Sequence, residues 1–301
     1  SYDVVHLHWP EIMFSGRTWA GRALRRVLTL LFCLRLAVTR TPVVRTWHNL
    51  ERPSGLSWSA SRLLDLLDRL TTLRIRLNDS GPMPTDAPYV TIPHGHYRDW
   101  YTTTPSDRVP GRVVFVGRIR RYKGVETLIE AFREVDDPGL SLHVAGLPSS
   151  EDLVETINGL VGDDTRISTR LEYVDDETFV EAVTSAELVV LPYRHMHNSG
   201  TVLAALSLDR PVLVPDTEVN RRLGDEVGPG WIHVFTGDLG AAELAEVGRT
   251  VRGAGDGSPD LSAREWDAAG RQHAQAYRRA VAEAAVRPRL PWRRRGTSAS
   301  S

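Results

Sequence analysis

Between Phe115 and Gly124 the chain reads Phe-Val-Gly-Arg-Ile-Arg-Arg-Tyr-Lys-Gly, so Gly117 and Gly124 enclose four cations. Arg118 offers a planar fork that can grip a phosphate through two hydrogen bonds, and Lys123 offers a compact charge. A second stretch, Pro192-Tyr193-Arg194 followed by Asn198-Ser199-Gly200-Thr201, sets a hydroxyl-rich turn before an apolar run. Ser199 or Thr201 can cap a helix there, and the free N–H groups of a helix start can hold an anion. Together the two stretches suit a diphosphate. A loop with solvated cations, or a cap without a ligand, has the same residues. Upstream, His8, His48 and His94 each follow a short apolar run, and Glu11 follows His8-Trp9-Pro10. Histidine and glutamate are the residue types that move protons near neutral pH.

These residues need a scaffold, and hydrophobic periodicity supplies one. Arg112–Val116 reads as a buried strand, and Val125, Leu128, Ile129 and Phe132 mark one face of a helix after it. The glycine-bounded cations therefore fall where a strand turns into a helix. In an open parallel sheet that is the edge where ligands bind. Further strands are expected at Ser141–Ala145, Arg170–Val174, Glu187–Leu191, Pro211–Val214 and Ile232–Phe235, with helices between most of them and a terminal helix over about 262–284. Toward the N-terminus, strands are expected at Asp3–His8, Pro42–Trp47 and Tyr89–Ile92. A loose helix over Thr18–Val38 and an amphipathic one carrying Leu63, Leu64, Leu67, Leu70 and Leu73 separate them. Three strands each ending in a histidine loop predict one crevice lined by His8, His48 and His94. The Thr-rich stretch Tyr101–Pro110 reads as a linker. The expected organisation is an α/β domain over 1–105, a doubly wound α/β domain over 106–284, and a disordered tail over 285–301.

Composition narrows the function classes. The formal net charge of −1 over 301 residues gives no global field for nucleic acid. The single cysteine, Cys33, rules out an internal disulfide and cysteine-rich metal sites. No spacing resembles a zinc or calcium site, and no Asp-x-Asp motif stands in a suitable loop, so no metal and no cofactor are expected. The segment 22–38 is apolar and bordered by Arg22, Arg25, Arg26, Arg35 and Arg40. It reads either as a core helix with basic ends or as a helix lying on an anionic membrane surface.

The ordered set Gly117-Arg118…Lys123-Gly124, Leu191-Pro192-Tyr193 and Ser199-Gly200-Thr201…Arg210-Pro211-Val212 resembles the nucleotide-sugar half of GT-B glycosyltransferases. Asp3-Val-Val-His6-Leu-His8, Thr46-Trp47-His48-Asn49 and Ile92-Pro93-His94-Gly95 resemble the later part of the acceptor half. The variants are most similar to bacterial exopolysaccharide-type enzymes, including xanthan-type mannosyltransferases that use GDP-mannose. The resemblance implies a GT-B fold: two Rossmann-like domains facing across a cleft. It implies transfer of a hexose from a nucleoside diphosphate sugar to a glycan or lipid-linked glycan, at the cytoplasmic face of the inner membrane. By the same resemblance, Arg118 and Lys123 hold the diphosphate with Gly117. Ser199, Gly200 and Thr201 give backbone contacts, Pro192 and Tyr193 lie near the nucleoside, and His8, His48 and His94 line the cleft. Glu11 and His48 are the candidates for the catalytic base.

Two departures from the family pattern matter. Many retaining members carry two glutamates before the Pro-Val strand, and the corresponding positions here are Met196 and Ala204. Other residues then serve the donor sugar, or the chemistry is inverting. Members also open with further β/α units upstream of the Asp3-Val-Val-His6 strand, so the N-terminal domain is expected to be truncated. A non-catalytic nucleotide-sugar-binding subunit and a nucleotide-sugar epimerase are the rival readings.

Overall fold

A computed structural model describes residues 2–16, 18–48, 55–80, 88–194, 196–252 and 257–286. In chain order these form β1 (Val5–Leu7), α1 (Trp19–Thr39), β2 (Val43–Trp47), α2 (Trp58–Leu70), β3 (Thr71–Arg76) and β4 (Tyr89–Thr91). Next come β5 (Arg112–Val116), α3 (Val125–Arg133), β6 (Ser141–Ala145), α4 (Glu151–Val161), β7 (Ile167–Arg170), α5 (Asp176–Thr184) and β8 (Leu188–Val190). The remainder is α6 (Gly200–Ser207), β9 (Val212–Pro215), α7 (Glu218–Val227), β10 (Ile232–Phe235), α8 (Ala241–Arg252) and α9 (Trp266–Val286). The chain divides into two compact units, Ser1–His94 with Trp266–Ser301, and Gly95–Glu265.

The first unit is a parallel sheet in the order β1-β2-β3-β4. Side chains alternate faces along each strand. Val44, Leu73 and Ile75 therefore pack with Ile92 against Ala269, Ala276 and Ala280 of α9. A separate cluster joins Phe14 and Cys33 to Ala60, Leu64 and Leu67 of α2. On β2 and β3 the positions Arg45 and Arg74 are register partners, both buried, and Asp68 of α2 pairs with both. The Arg45 guanidinium lies 4.6 Å from the centre of the Trp47 ring, and that of Arg74 5.9 Å.

β3 departs from the expected pattern. The leucine series suggests that the helix runs through Leu73, but α2 stops at Leu70 and the strand begins at the next residue. Thr71 closes the helix by donating its hydroxyl to the Leu67 carbonyl, 2.8 Å away. Its β-branched neighbour Thr72 favours extended backbone. Arg74, between Leu73 and Ile75, disguises an internal strand, because its charge is neutralised by Asp68 on another element.

The second unit holds a parallel sheet in the order β10-β9-β8-β5-β6-β7. The chain enters at β5, winds outward to β7, then returns to β8 and winds the other way. The reversal falls between β5 and β8, where ligands bind in open α/β sheets. β7 ends at Arg170, where the sequence reading starts its strand. It is an edge strand paired only with β6, and Ile167 is its one buried residue. Its own alternation is therefore faint beside the apolar Leu171 and Val174. The stretch read as a linker is fastened to this unit. Ser106 N–H donates to Thr184 Oγ1 (2.8 Å), Val109 N–H to the Ser185 carbonyl (2.9 Å), and Tyr101 stacks on Phe179.

The domain limits of the sequence reading, 105/106 and 284, therefore differ from the grouping of the structure. The second unit starts at Gly95, and α9 returns to the first. Residues 285 and 286, read as tail, complete α9. Asn49 and residues 287–301 of the tail lie outside the described residues.

Removing the carboxylate between two buried guanidinium groups leaves charges without their partner. Asp68→Ala should lower stability by about 3 kcal/mol, read as a lower denaturant midpoint for loss of the first unit's secondary structure. An unchanged midpoint would show that Arg45 and Arg74 do not depend on Asp68.

Candidate functional site

At the carboxyl end of β5, Gly117 takes a φ of 118° and the chain turns toward β6. Ile119 bridges to Pro148 and is fully buried, so it anchors the loop while Arg118 and Arg120 on either side stay exposed. A single turn, Arg121–Lys123, leads to Gly124 at φ 67° and then into α3. Gly124 is required here: a Cβ would lie 2.2 Å from the Pro192 carbonyl oxygen of the loop after β8. The two loops are joined again where Arg194 N–H donates to the Tyr122 carbonyl, at 2.9 Å.

Arg121 is spent on Glu126 and Asp152. Among the described residues no carboxylate pairs with Arg118, Arg120 or Lys123. Lys123 is half-buried, and its ammonium sits 4.9 Å from the centre of the Tyr193 ring. Burial, then the charges of Arg120 and Arg118, lower its pKa to about 8. A Cβ on Gly117 would stand 3.8 Å from both the Lys123 ammonium and the Thr201 hydroxyl. The missing side chain thus leaves a gap between an unneutralised cation and the first turn of α6.

That turn is capped by Ser199, whose hydroxyl accepts the Val202 N–H at 3.4 Å. The earlier N–H groups at the helix start have no intrahelical acceptor. Pro192 and Tyr193, expected beside the nucleoside, are buried in the loop after β8. Tyr193 is 6% exposed, and burial pushes its phenol up to about 12 against the opposite pull of Thr201 and Ser199. Met196 and Ala204 are buried, with the Asn220 amide nitrogen 3.3 Å from the Met196 sulfur. The positions where a glutamate pair stands in many retaining enzymes are therefore apolar core.

In the first unit the histidines cluster at the carboxyl edge of the sheet. His8 Nδ1 lies 3.1 Å from His48 Nε2, and the His6 and His8 rings are 4.4 Å apart. His6 shares hydrogen bonds with Thr46 Oγ1 (2.8 Å) and with the Tyr277 hydroxyl of α9 (2.9 Å). His273 of α9 stands 5.8 Å from His6. Burial, followed by neighbouring imidazoles, lowers the pKa of His6 and of His48 to about 4 and also lowers that of His8. His94 acts electrostatically on His8 and His48 and meets Trp266 edge-on at 5.8 Å. Glu11 stands on the short helical turn Pro10–Phe14. Among the described residues its carboxylate has no hydrogen bond to a histidine.

The structure thus brings Gly117, Lys123, Thr201 and Tyr193 together in one unit, and His8 with His48 in the other. Sequence reasoning missed Arg120, His273, Tyr277 and Tyr97. The Tyr97 hydroxyl would meet a Cβ on Gly200 at 3.2 Å. Arg120 was visible in the motif. His273 and Tyr277 had no signal, since they reach His6 only because α9 folds back over 271 residues of chain separation.

A family model described as glycosyl transferases group 1 matches residues 110–247. Two proteins of Xanthomonas campestris pv. campestris, each a GDP-mannose:glycolipid 4-beta-D-mannosyltransferase, are 44% and 43% identical over 283 residues, covering 93% of this chain and 80% of theirs. Among solved structures, sucrose-phosphate synthase from Thermosynechococcus elongatus superposes with a TM-score of 0.64 at 18% identity, covering 93% of this chain and 74% of that one. Anabaena HepE in complex with UDP-glucose gives 0.58 at 18% identity, covering 86% and 74%. With a GT-B-type pair of parallel α/β sheets and a relative this similar along most of its length, the chain belongs to the group 1 glycosyltransferases.

Proposed function

We propose that this chain transfers mannose from GDP-mannose to a glycolipid acceptor with inversion at the anomeric carbon. One observation carries the donor half. Arg118, Arg120 and Lys123, without carboxylate partners among the described residues, stand beside the gap left by Gly117. A diphosphate supplies the counter-charge this cluster lacks. The activity printed for relatives 44% and 43% identical supports the choice of sugar, nucleotide and acceptor.

GDP-mannose carries its sugar α-linked, so a β product requires one in-line displacement. The acceptor hydroxyl loses its proton to a base and attacks the anomeric carbon. The bond from that carbon to the phosphate oxygen breaks, and GDP departs with the developing charge. Lys123, Arg118 and the N–H groups of Gly200 and Thr201 stabilise that charge. A single displacement has no need of a carboxylate on the far side of the sugar, which agrees with apolar Met196 and Ala204.

Glu11 is the preferred base. An imidazole held near 4 offers no more basicity than a carboxylate in water, so His48 serves better as a neutral hydrogen-bonding partner with His8 and His94. No metal or cofactor takes part in this scheme.

The acceptor class also accounts for α1. Leu24, Val27, Leu28, Leu31, Leu34 and Val38 form one exposed helical stripe, while Thr29, Cys33 and Leu36 pack on the opposite face. Arg35 lies beside this stripe, whereas Arg22, Arg25 and Arg26 turn to the packed side and donate to the Gly16 carbonyl, the Ile12 carbonyl and the Ser59 hydroxyl. Among the described residues no helix is long and apolar enough to cross a membrane. We place α1 on the anionic cytoplasmic face of the inner membrane, where a lipid-linked acceptor would be presented.

Arg118→Ala with Lys123→Ala should weaken GDP binding by about 100-fold, from the loss of two charge-assisted contacts, in calorimetric titration. Wild-type affinity should fall as pH rises through about 8, where free Lys123 loses its proton. An affinity independent of both would remove this loop from the donor site. Glu11→Gln should abolish transfer while GDP binding stays at the wild-type level; retained turnover would exclude Glu11 as the base. The Leu24→Glu, Leu28→Glu, Leu31→Glu variant should no longer sediment with phosphatidylglycerol vesicles that carry down the wild type. Equal sedimentation of both proteins would place the membrane contact elsewhere.

A further inference from the structure

We propose that the indole of Trp9 is the stacking platform of an acceptor-sugar subsite in the first unit, taking a neutral pyranose against its open face. The inference deepens the glycosyltransferase reading given above and names a residue that reading leaves without a role.

Trp9 is held rigidly although it is 43% exposed. One face of its ring is stacked on His48, with centroids 4.3 Å apart and planes 12° from parallel. Its carbonyl accepts the Ile12 N–H at 3.1 Å, which fixes it at the start of the turn Pro10–Phe14. That turn is anchored by Phe14, 2% exposed in the core with Leu64 and Leu67. An aromatic plane kept in solvent by a buried anchor and a stacked neighbour costs hydrophobic surface that the fold does not recover. A ligand with a flat apolar face recovers it.

The chemistry of that ligand follows from the surroundings. A pyranose ring presents a face of C–H groups, which carry a slight positive charge and pack on the negative face of an aromatic ring. Its rim carries hydroxyl groups, which need neutral donors and acceptors. The groups beside Trp9 are of that kind. His48 and His8 share a hydrogen bond at 3.1 Å, and desolvation keeps both imidazoles uncharged at neutral pH. The loop after β5 has the opposite character, with unneutralised cations suited to phosphate. Uncharged imidazoles around a fixed indole fit the hydroxyl-rich, uncharged end of an acceptor.

Saturation-transfer difference NMR of the whole chain with methyl β-D-glucopyranoside and methyl α-D-mannopyranoside tests this, because the method reads weak binding directly. At least one probe should receive saturation on the ring protons of a single face. Trp9→Phe should retain most of that signal, and Trp9→Ala should lower it at least 5-fold at an unchanged unfolding temperature. No saturation with either probe, or equal saturation in the wild type and Trp9→Ala, would overturn the proposal. A GDP titration on the same samples separates the two readings. GDP binding that Trp9→Ala leaves unchanged, together with the lost pyranoside signal, supports both. A Trp9-dependent pyranoside signal without GDP binding would sink the donor assignment and leave this subsite standing.

Discussion

The loop cluster at the carboxyl edge of the second sheet depends on a close backbone approach. The Pro192 carbonyl oxygen lies where a side chain on Gly124 would begin, so the loops after β5 and β8 meet only because that residue has no Cβ. These loops flank the point where the sheet reverses its winding. Their contact puts the Lys123 ammonium over the Tyr193 ring and sets the Thr201 hydroxyl across the gap beside Gly117. An ammonium in that place is poorly solvated and has two guanidinium groups nearby. Burial and those two charges lower the proton affinity of Lys123.

The two units differ in electrostatic character. In the second, Arg118, Arg120 and Lys123 stand without carboxylate partners among the described residues, an environment that favours an anion. In the first, burial and neighbouring imidazoles lower the proton affinity of His6, His8 and His48. That environment presents imidazole nitrogens with a threonine hydroxyl and a phenol as neutral hydrogen-bonding groups. Tyr277 and Thr46 hold His6 from either side, so the cluster is fixed before any ligand arrives.

Met196 and Ala204 stand where many retaining members of the family carry a glutamate pair. Here the corresponding positions are packed into the hydrophobic core with Asn220 against Met196.

The sequence by itself determined the class of fold, most strand positions and the strand–loop–helix turn that holds Gly117 and Lys123. Each of these is local: a hydrophobic period of two or 3.6, a glycine at a turn, a cap before an apolar helix. Gly117, Lys123 and Thr201 could be named because strand–loop–helix order already places them at one sheet edge. Tertiary structure decided what depends on partners far along the chain. It split the leucine series at Leu70, because Arg74 can enter a central strand only with Asp68 supplied by α2. It returned α9 to the first sheet and so brought Tyr277 to His6. It also buried Tyr193 against the Lys123 ammonium. Burial and charge compensation are properties of assembled neighbours, and no local pattern of residue types encodes which neighbours those will be.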